Sequence, residues 1–210
     1  MEDAKIDIIK NLLDTYKGKR KFVQSVEIAV NFKGVDFTKQ DNRLNLSVSL
    51  PNGRGKAAKV LVYADKKEIV DAANATGSKV IGAKDIEPVS KDKEKMKELL
   101  NYVSLAEPAL MSTVARYLGA YLGPKGRMPK PLVGSDPKSV ITNITRSVSI
   151  TTRGKFLPTV HCIVGSETMD IKGISENITA VLEALNKAVG TGKIKSVYLK
   201  LSMSPPVKFI

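Results

Sequence analysis

The apolar residues of this chain change rhythm twice, and that change limits the folds open to it. Val26, Ile28, Val30 and Phe32 alternate with polar residues, as do Leu44, Leu46, Val48 and Leu50. A period of two puts each set on one face of a strand, and polar outer faces suit antiparallel sheet covered on one side only. At Val60-Leu-Val-Tyr-Ala64 the alternation gives way to a continuous apolar run, as expected of a strand covered on both faces. Past Ile150 alternation returns, with Val160, Cys162 and Val164 on one face and a last strand over Val197–Leu201.

Between these runs the helical signals are regular. Ile6, Ile9, Leu12, Leu13 and Tyr16 predict an N-terminal helix that Gly18 stops. The loop 33–42 is polar, and Pro51-Asn-Gly53 turns the chain. A helix over Lys66–Ala75, a strand at Val80-Ile81, a charged helix over Asp92–Leu100 and a strand over Tyr102–Ala106 have the spacing of parallel βαβ units. Pro108 opens a helix through Leu118, and Asp136-Pro137 caps another reaching Ser147. Ile174, Ile178, Val181, Leu182 and Leu185 form a helical stripe ending near Gly190. The fold class is α/β. The simplest arrangement is one domain built from both ends of the chain (1–62 and 150–210), with a parallel α/β domain inserted at 63–149. Two short crossings near 62 and 150 would form a hinge. Periodicity alone leaves one continuous α/β domain equally open.

Charge points to the class of partner. With 34 Lys+Arg against 21 Asp+Glu, the formal net charge is +13, which favours a polyanion through steering and counterion release. A basic protein without a nucleic-acid role has the same balance. The single cysteine, Cys162, forms no internal disulfide and suits a reducing compartment. No apolar run reaches the ~18 residues of a membrane span, and Met1-Glu-Asp-Ala-Lys5 lacks a signal-peptide core. The expected location is cytoplasmic, with no membrane partner.

Enzyme chemistry finds little support. The only histidine, His161, adjoins Cys162, and neighbours in a strand face opposite ways; no further His or Cys completes a zinc set. A phosphate loop fails twice, because Gly192-Lys193 is followed by Ile194 and Gly55-Lys56 by Ala57. No Gly-rich turn follows a strand of the inserted half, and Glu94 and Glu98 sit among lysines as a solvated helix face. No catalytic residue, cofactor or metal is expected. The competing readings are a nucleotide-using α/β enzyme and a non-specific basic nucleic-acid-binding protein.

Three segments carry more information. Leu118–Pro131 packs three glycines, three prolines and three cations into fourteen residues. Its Lys125, Arg127 and Lys130 suit phosphate contacts, while the rigid turn suits packing between domains, the role the composition favours. Ser196-Val-Tyr-Leu-Lys-Leu-Ser-Met-Ser-Pro-Pro-Val-Lys-Phe209 is an alternating strand running into a small-residue turn, and Lys21-Phe-Val-Gln-Ser-Val-Glu-Ile-Ala-Val-Asn-Phe32 has the same pairing of a small polar face with an apolar one. Together the last two resemble the RNA-facing segments of the large-subunit ribosomal protein L-one family, and Leu122-Gly-Pro-Lys-Gly-Arg-Met-Pro129 is similar to the hallmark loop of that family's insert. Ser47–Lys56 resembles its strand-and-turn before the insert, and Gly165–Met169 with Glu176–Leu185 its helix beneath the sheet. The wording is of the archaeal type.

The resemblance implies a split α+β sandwich that binds RNA and an inserted Rossmann-like domain without a nucleotide. It implies large-subunit rRNA at the mobile stalk as partner, help in releasing deacylated tRNA at the exit site, repression of its own mRNA, and a monomer when free. Carried over by position, the RNA-binding residues are Lys21, Phe22, Ser25 and Glu27, then Ser202, Met203 and Ser204, with Lys155 and His161 secondary. Read without the family, ordinary core is the alternative for Phe22, and a methionine such as Met203 is more often core than contact. Glu27 suits RNA as an acceptor for ribose 2′-hydroxyls or base amino groups. Ser204 stands where the family has glycine, so a contact needing positive φ there is in question.

Overall fold

A computed structural model of the chain describes residues 2–134, 136–152 and 154–210. In chain order it contains α1 (Glu2–Tyr16), β1 (Ser25–Phe32), β2 (Asn45–Ser49), β3 (Val60–Tyr63), α2 (Lys67–Ala75), β4 (Lys79–Ile81), α3 (Ala83–Lys91), α4 (Lys93–Leu99) and β5 (Val103–Ala106). There follow α5 (Met111–Leu122), β6 (Lys130–Pro131), α6 (Pro137–Arg146), β7 (Ser147–Thr151), β8 (Thr159–Ser166), α7 (Ile171–Val189), β9 (Ile194–Leu201) and β10 (Val207–Lys208). The chain divides into two compact units, 1–57 with 146–210, and 58–145. The crossings thus lie near 57 and 146 rather than near 62 and 150: Val60–Val62 begin the central strand of the second unit, and β7 pairs with β2 in the first.

In the first unit a four-stranded antiparallel sheet runs β10-β9-β1-β8. The alternation in β1 buries Val26, Ile28, Val30 and Phe32, and in β9 buries Val197, Leu199 and Leu201. These meet Ile9, Leu12 and Leu13 of α1 and Ile174, Ile178, Val181 and Leu185 of α7 in one core. The two early alternating runs separate: β1 lies between β8 and β9, whereas β2 pairs only with β7, adding Val48, Val148 and Ile150 to that core. Buried Asn177 of α7 locks three segments together. Its Nδ2 donates to Gly53 O and Val164 O, both at 2.8 Å, and its Oδ1 accepts from Asn52 N–H at 3.1 Å. Next to this junction a Cβ on Gly55 (φ +75°) would stand 2.4 Å from Ser166 Oγ, so only glycine fits there.

In the second unit four parallel strands run β4-β3-β5-β6. Leu61 and Tyr63 face one core with Ile86, Leu99, Val114 and Leu118; Val60, Val62 and Ala64 face another with Ile69, Ala73 and Ile141. A strand covered twice needs no polar alternation, hence the continuous run. Tyr63 Oη is buried without a hydrogen-bond partner, and burial pushes its pKa up. Helix α3 was not expected, because Pro88 lies inside it. Burial of Ile86 holds the helix despite the donor that proline removes. The Leu118–Pro131 segment is also less irregular than its composition suggests: α5 runs on to Leu122 and β6 claims Lys130 and Pro131. Helix α6 ends at Arg146, where β7 begins.

Candidate nucleic-acid interface

Helices α1 and α7 cover the apolar face of the four-stranded sheet, so the other face carries what alternation left over. On β1 this is Ser25, Glu27, Ala29 and Asn31, each half-buried. The register sets Glu27 between Lys200 and Ile163, Ala29 between Tyr198 and His161, and Asn31 between Ser196 and Thr159. The last row is closed by its own hydrogen bonds, Asn31 Nδ2 to Ser196 Oγ at 3.0 Å and Thr159 Oγ1 to Asn31 Oδ1 at 2.7 Å. A register shift between Val26 and Glu27 against β8 marks a bulge just where β1 enters the sheet.

That entrance is where the two predicted segments meet. Ser25 N–H donates to Ser202 Oγ and Ser202 N–H donates to Ser25 O, both at 3.1 Å, although 177 residues separate them. Ser202 Oγ also reaches Glu27 Oε1 at 3.5 Å. Above this clasp Phe22 is 50% and Met203 57% exposed, so neither is a core residue. Two large apolar side chains held out at a strand end offer flat surface for bases or sugars. Lys21 is exposed, and Lys56 Nζ donates to Val23 O at 2.6 Å, tying down the segment that carries Phe22.

The turn itself is saturated from within. Ser202 N–H is taken by Ser25 O, Met203 N–H donates to Gln24 Oε1 at 3.2 Å, and Ser204 N–H donates to Leu201 O at 3.1 Å. The turn therefore presents acceptors and side chains outward, not N–H donors. With Glu27 beside it, this end of the sheet suits partners that donate, such as 2′-hydroxyls and base amino groups, better than phosphates. Cations flank it: Lys19, Arg20 and Lys21 before β1 and Lys200 on β9. Tyr16, Lys19, Arg20, Gln24 and Met203 line a recess of about 320 Å³ at the same end.

Ser204 is buried at 8% exposure, and Phe156 is the one non-glycine with positive φ among the described residues. Serine is thus unstrained at the family's glycine position. Its Oγ accepts from Leu201 N–H at 2.9 Å and donates to Pro205 O at 3.0 Å, stabilising the turn rather than lying on the surface. His161 is exposed midway along the open face; its neighbour Cys162 points into the core, where burial pushes the thiol up to about 12. Such a thiol is unreactive at neutral pH. Lys155 is exposed just before β8, beyond the Asn31 end of the sheet, roughly 20 Å of strand from the serine clasp. Lys125, Arg127 and Lys130 belong to the second unit, where the Lys125 ammonium stands 3.5 Å from the centroid of Tyr121.

Gln24 and Glu167 were missed, and both are buried at the clasp, at 1% and 4% exposure. The signal was present: Gln24 occupies the inward register of Val26, Ile28 and Val30, where a polar residue needs a partner.

Residues 12–205 match the ribosomal protein L1p/L10e family. The chain is 39% identical over 210 residues to the large ribosomal subunit protein uL1 of Archaeoglobus fulgidus, covering 97% of each. It is 38% identical over 211 residues to the protein of that name from Thermoplasma acidophilum, covering 97% of this chain and 96% of the relative. To that of Methanothermobacter thermautotrophicus it is 37% identical over 196 residues, covering 91% and 92%.

Proposed function

The chain belongs to the ribosomal protein L1p/L10e family, archaeal in type, and on that premise we propose that its split unit binds large-subunit rRNA of the mobile stalk through the Ser25–Ser202 end of its sheet. The observation that carries this reading is the clasp itself. Two remote segments join there and hold Phe22, Glu27 and Met203 around a turn whose N–H groups are all used internally. Phe22 and Met203 supply stacking and apolar contact. Glu27 and the turn carbonyls accept from 2′-hydroxyls or amino groups, and Ser25 and Ser202 keep the surface low enough for close approach. Lys21, Lys200 and, farther along, Lys155 add charge that steers RNA and sets the salt dependence, while His161 offers a hydrogen-bonding ring on the same open face.

Assisting release of deacylated tRNA and repressing its own mRNA are the finer parts of this proposal. Repression follows if the mRNA presents the same shape as the rRNA site, because a preformed acceptor surface recognises either; the tRNA role follows from the place at the stalk that rRNA binding would give the protein. The inserted unit, in this reading, is a Rossmann-like domain that binds no nucleotide, and the protein is not an enzyme. In open parallel sheets a nucleotide phosphate sits where strand order reverses, at a helix N-terminus. Here that place, between the ends of β3 and β5 at the start of α2, holds the chain's own Glu107 carboxylate. It accepts from Asp65 and Lys66 N–H at 3.4 Å and pairs with the Lys66 ammonium at 3.3 Å.

The test is binding of the full protein to a stalk rRNA fragment, to a scrambled RNA of equal length and to duplex DNA, at matched salt. The proposal requires preference for the stalk fragment over both competitors. Equal affinity for all three would reduce the protein to a non-specific polycation.

A further inference from the structure

A buried polar network underlies the clasp, and it does more than fill space. Gln24 Nε2 donates to Tyr16 O at 3.1 Å and to Glu167 Oε2 at 3.3 Å, while its Oε1 accepts from Met203 N–H at 3.2 Å. Glu167 Oε2 also accepts from Gly18 N–H at 3.4 Å, and Glu167 N–H donates to Gln24 O at 3.0 Å. One side chain thus joins the end of α1, the entrance of β1, the exit of β8 and the turn after β9.

The network admits only one orientation of the amide. Turned over, its oxygen would face the Tyr16 carbonyl and the Glu167 carboxylate, and its NH2 would face Met203 N–H, so all three hydrogen bonds would become repulsive contacts. In a site buried this deeply, each lost partner costs the full desolvation of the group left behind. Glu167 therefore decides which way Gln24 points, and Gln24 decides which way the Ser202–Met203 peptide points. No described peptide bond is cis, so the carbonyl of Ser202 projects opposite to the Met203 N–H that Gln24 holds.

We propose that Gln24 is a positioning residue for RNA recognition, set by Glu167: it fixes the Ser202–Met203 peptide so that the Ser202 carbonyl is preformed as an acceptor for a ribose 2′-hydroxyl or base amino group. Gln24 itself touches no RNA. The inference rests on the RNA-binding reading of this surface and adds the reason its acceptor geometry is rigid before RNA arrives. Preformed acceptors spare the cost of ordering the turn on binding, so the effect falls on specific RNA and not on electrostatic association.

The experiment uses the full chain. Gln24→Met keeps the length of the side chain and removes all three hydrogen bonds; Glu167→Gln is a milder change that leaves the volume intact and removes the selection of amide orientation. Each is measured for affinity to the stalk rRNA fragment and to scrambled RNA at two salt concentrations, with hydrogen exchange of the Met203 amide followed by NMR. Gln24→Met is expected to bind the stalk fragment about tenfold more weakly, the worth of about one hydrogen bond. Scrambled-RNA affinity and salt slope should stay as in the wild type, and the Met203 amide should exchange faster. Glu167→Gln should move both readouts the same way by a smaller factor. Wild-type affinity for the stalk fragment in a folded Gln24→Met protein overturns the proposal, as does an equal loss on both RNAs. If Gln24→Met does not fold, Glu167→Gln decides: unchanged affinity and unchanged Met203 exchange overturn it. A wild-type protein that fails to prefer the stalk fragment refutes instead the RNA-binding reading beneath it.

Discussion

Ser202 ties the two strand ends together at the proposed interface. Its Oγ accepts from Ser25 N–H, and its N–H donates back to Ser25 O. Ser202→Val leaves the Ser25 amide without its partner and places a branched side chain beside Glu27. Affinity for the stalk fragment should fall by roughly 1–3 kcal/mol with an almost unchanged salt slope. Lys200→Ala should do the reverse, costing little specificity and lowering the salt slope by about one if that ammonium meets a phosphate. Filter binding across a salt series separates the two; a Ser202→Val loss equal on scrambled RNA would remove the surface from the account. Residue by residue, Ser25, Glu27 and Ser202 were named by the family resemblance; alternation agrees for Ser25 and Glu27, which share the open face of β1, and says nothing of Ser202, which lies past the end of β9. The exposure of Phe22 and Met203 was not legible, because both lie outside the regular strands where no period applies. Gln24 and Glu167 were overlooked because their meaning depends on partners 143 residues apart.

Among elements, α7 holds its unit together through Asn177 as well as through its apolar stripe. Asn177→Leu keeps approximate volume but orphans Gly53 O, Val164 O and Asn52 N–H. A loss of roughly 2–4 kcal/mol in unfolding free energy is expected, measured by urea denaturation, with an unaltered m-value. A variant as stable as the wild type would mean that water satisfies those groups. Element type was legible wherever a period ran for a full strand or helix, as in β1, β9 and α7, and in β3 from its unbroken apolar run. It was illegible for α3, where Pro88 argues against helix locally and only burial of Ile86 decides otherwise. β6 and β10 have two residues each, too short for any period, and exist because β5 and β9 offer them an edge. The separate pairing of β1 and β2 could not be read either, since alternation says which face is covered and not which neighbour covers it.

Across the whole molecule the two units should respond differently to acid. Burial raises the Glu107 carboxyl pKa, but the N–H groups of Asp65 and Lys66 and the Lys66 ammonium outweigh it, so the net shift is downward. A pKa lowered by folding means stability that is complete above the ordinary carboxylate range and lost as pH falls through the folded value. Thermal melts of the full chain should lose stability of the inserted unit below about pH 4.5, and Glu107→Gln should flatten that decline. An identical decline in the variant would assign the acid sensitivity elsewhere. The change of apolar rhythm left one continuous domain as open as two units; the chain divides near 57 and 146, where fully buried Val60–Val62 pair within the parallel sheet and alternating Ser147–Thr151 pair with β2.

The central claim is that the split unit carries recognition, since Phe22, Ser25, Glu27, Ser202 and Met203 all belong to it. Joining residues 1–57 to 146–210 through a short Gly/Ser linker keeps the whole of its core, from Ile9 to Phe209, and should give a folded protein. Its affinity for the stalk rRNA fragment relative to scrambled RNA is the most direct measurement. The account predicts a preference close to that of the full chain, with weaker overall binding only to the extent that cations of the insert are lost. A protein that folds yet binds both RNAs alike would place recognition in the inserted unit and contradict the account.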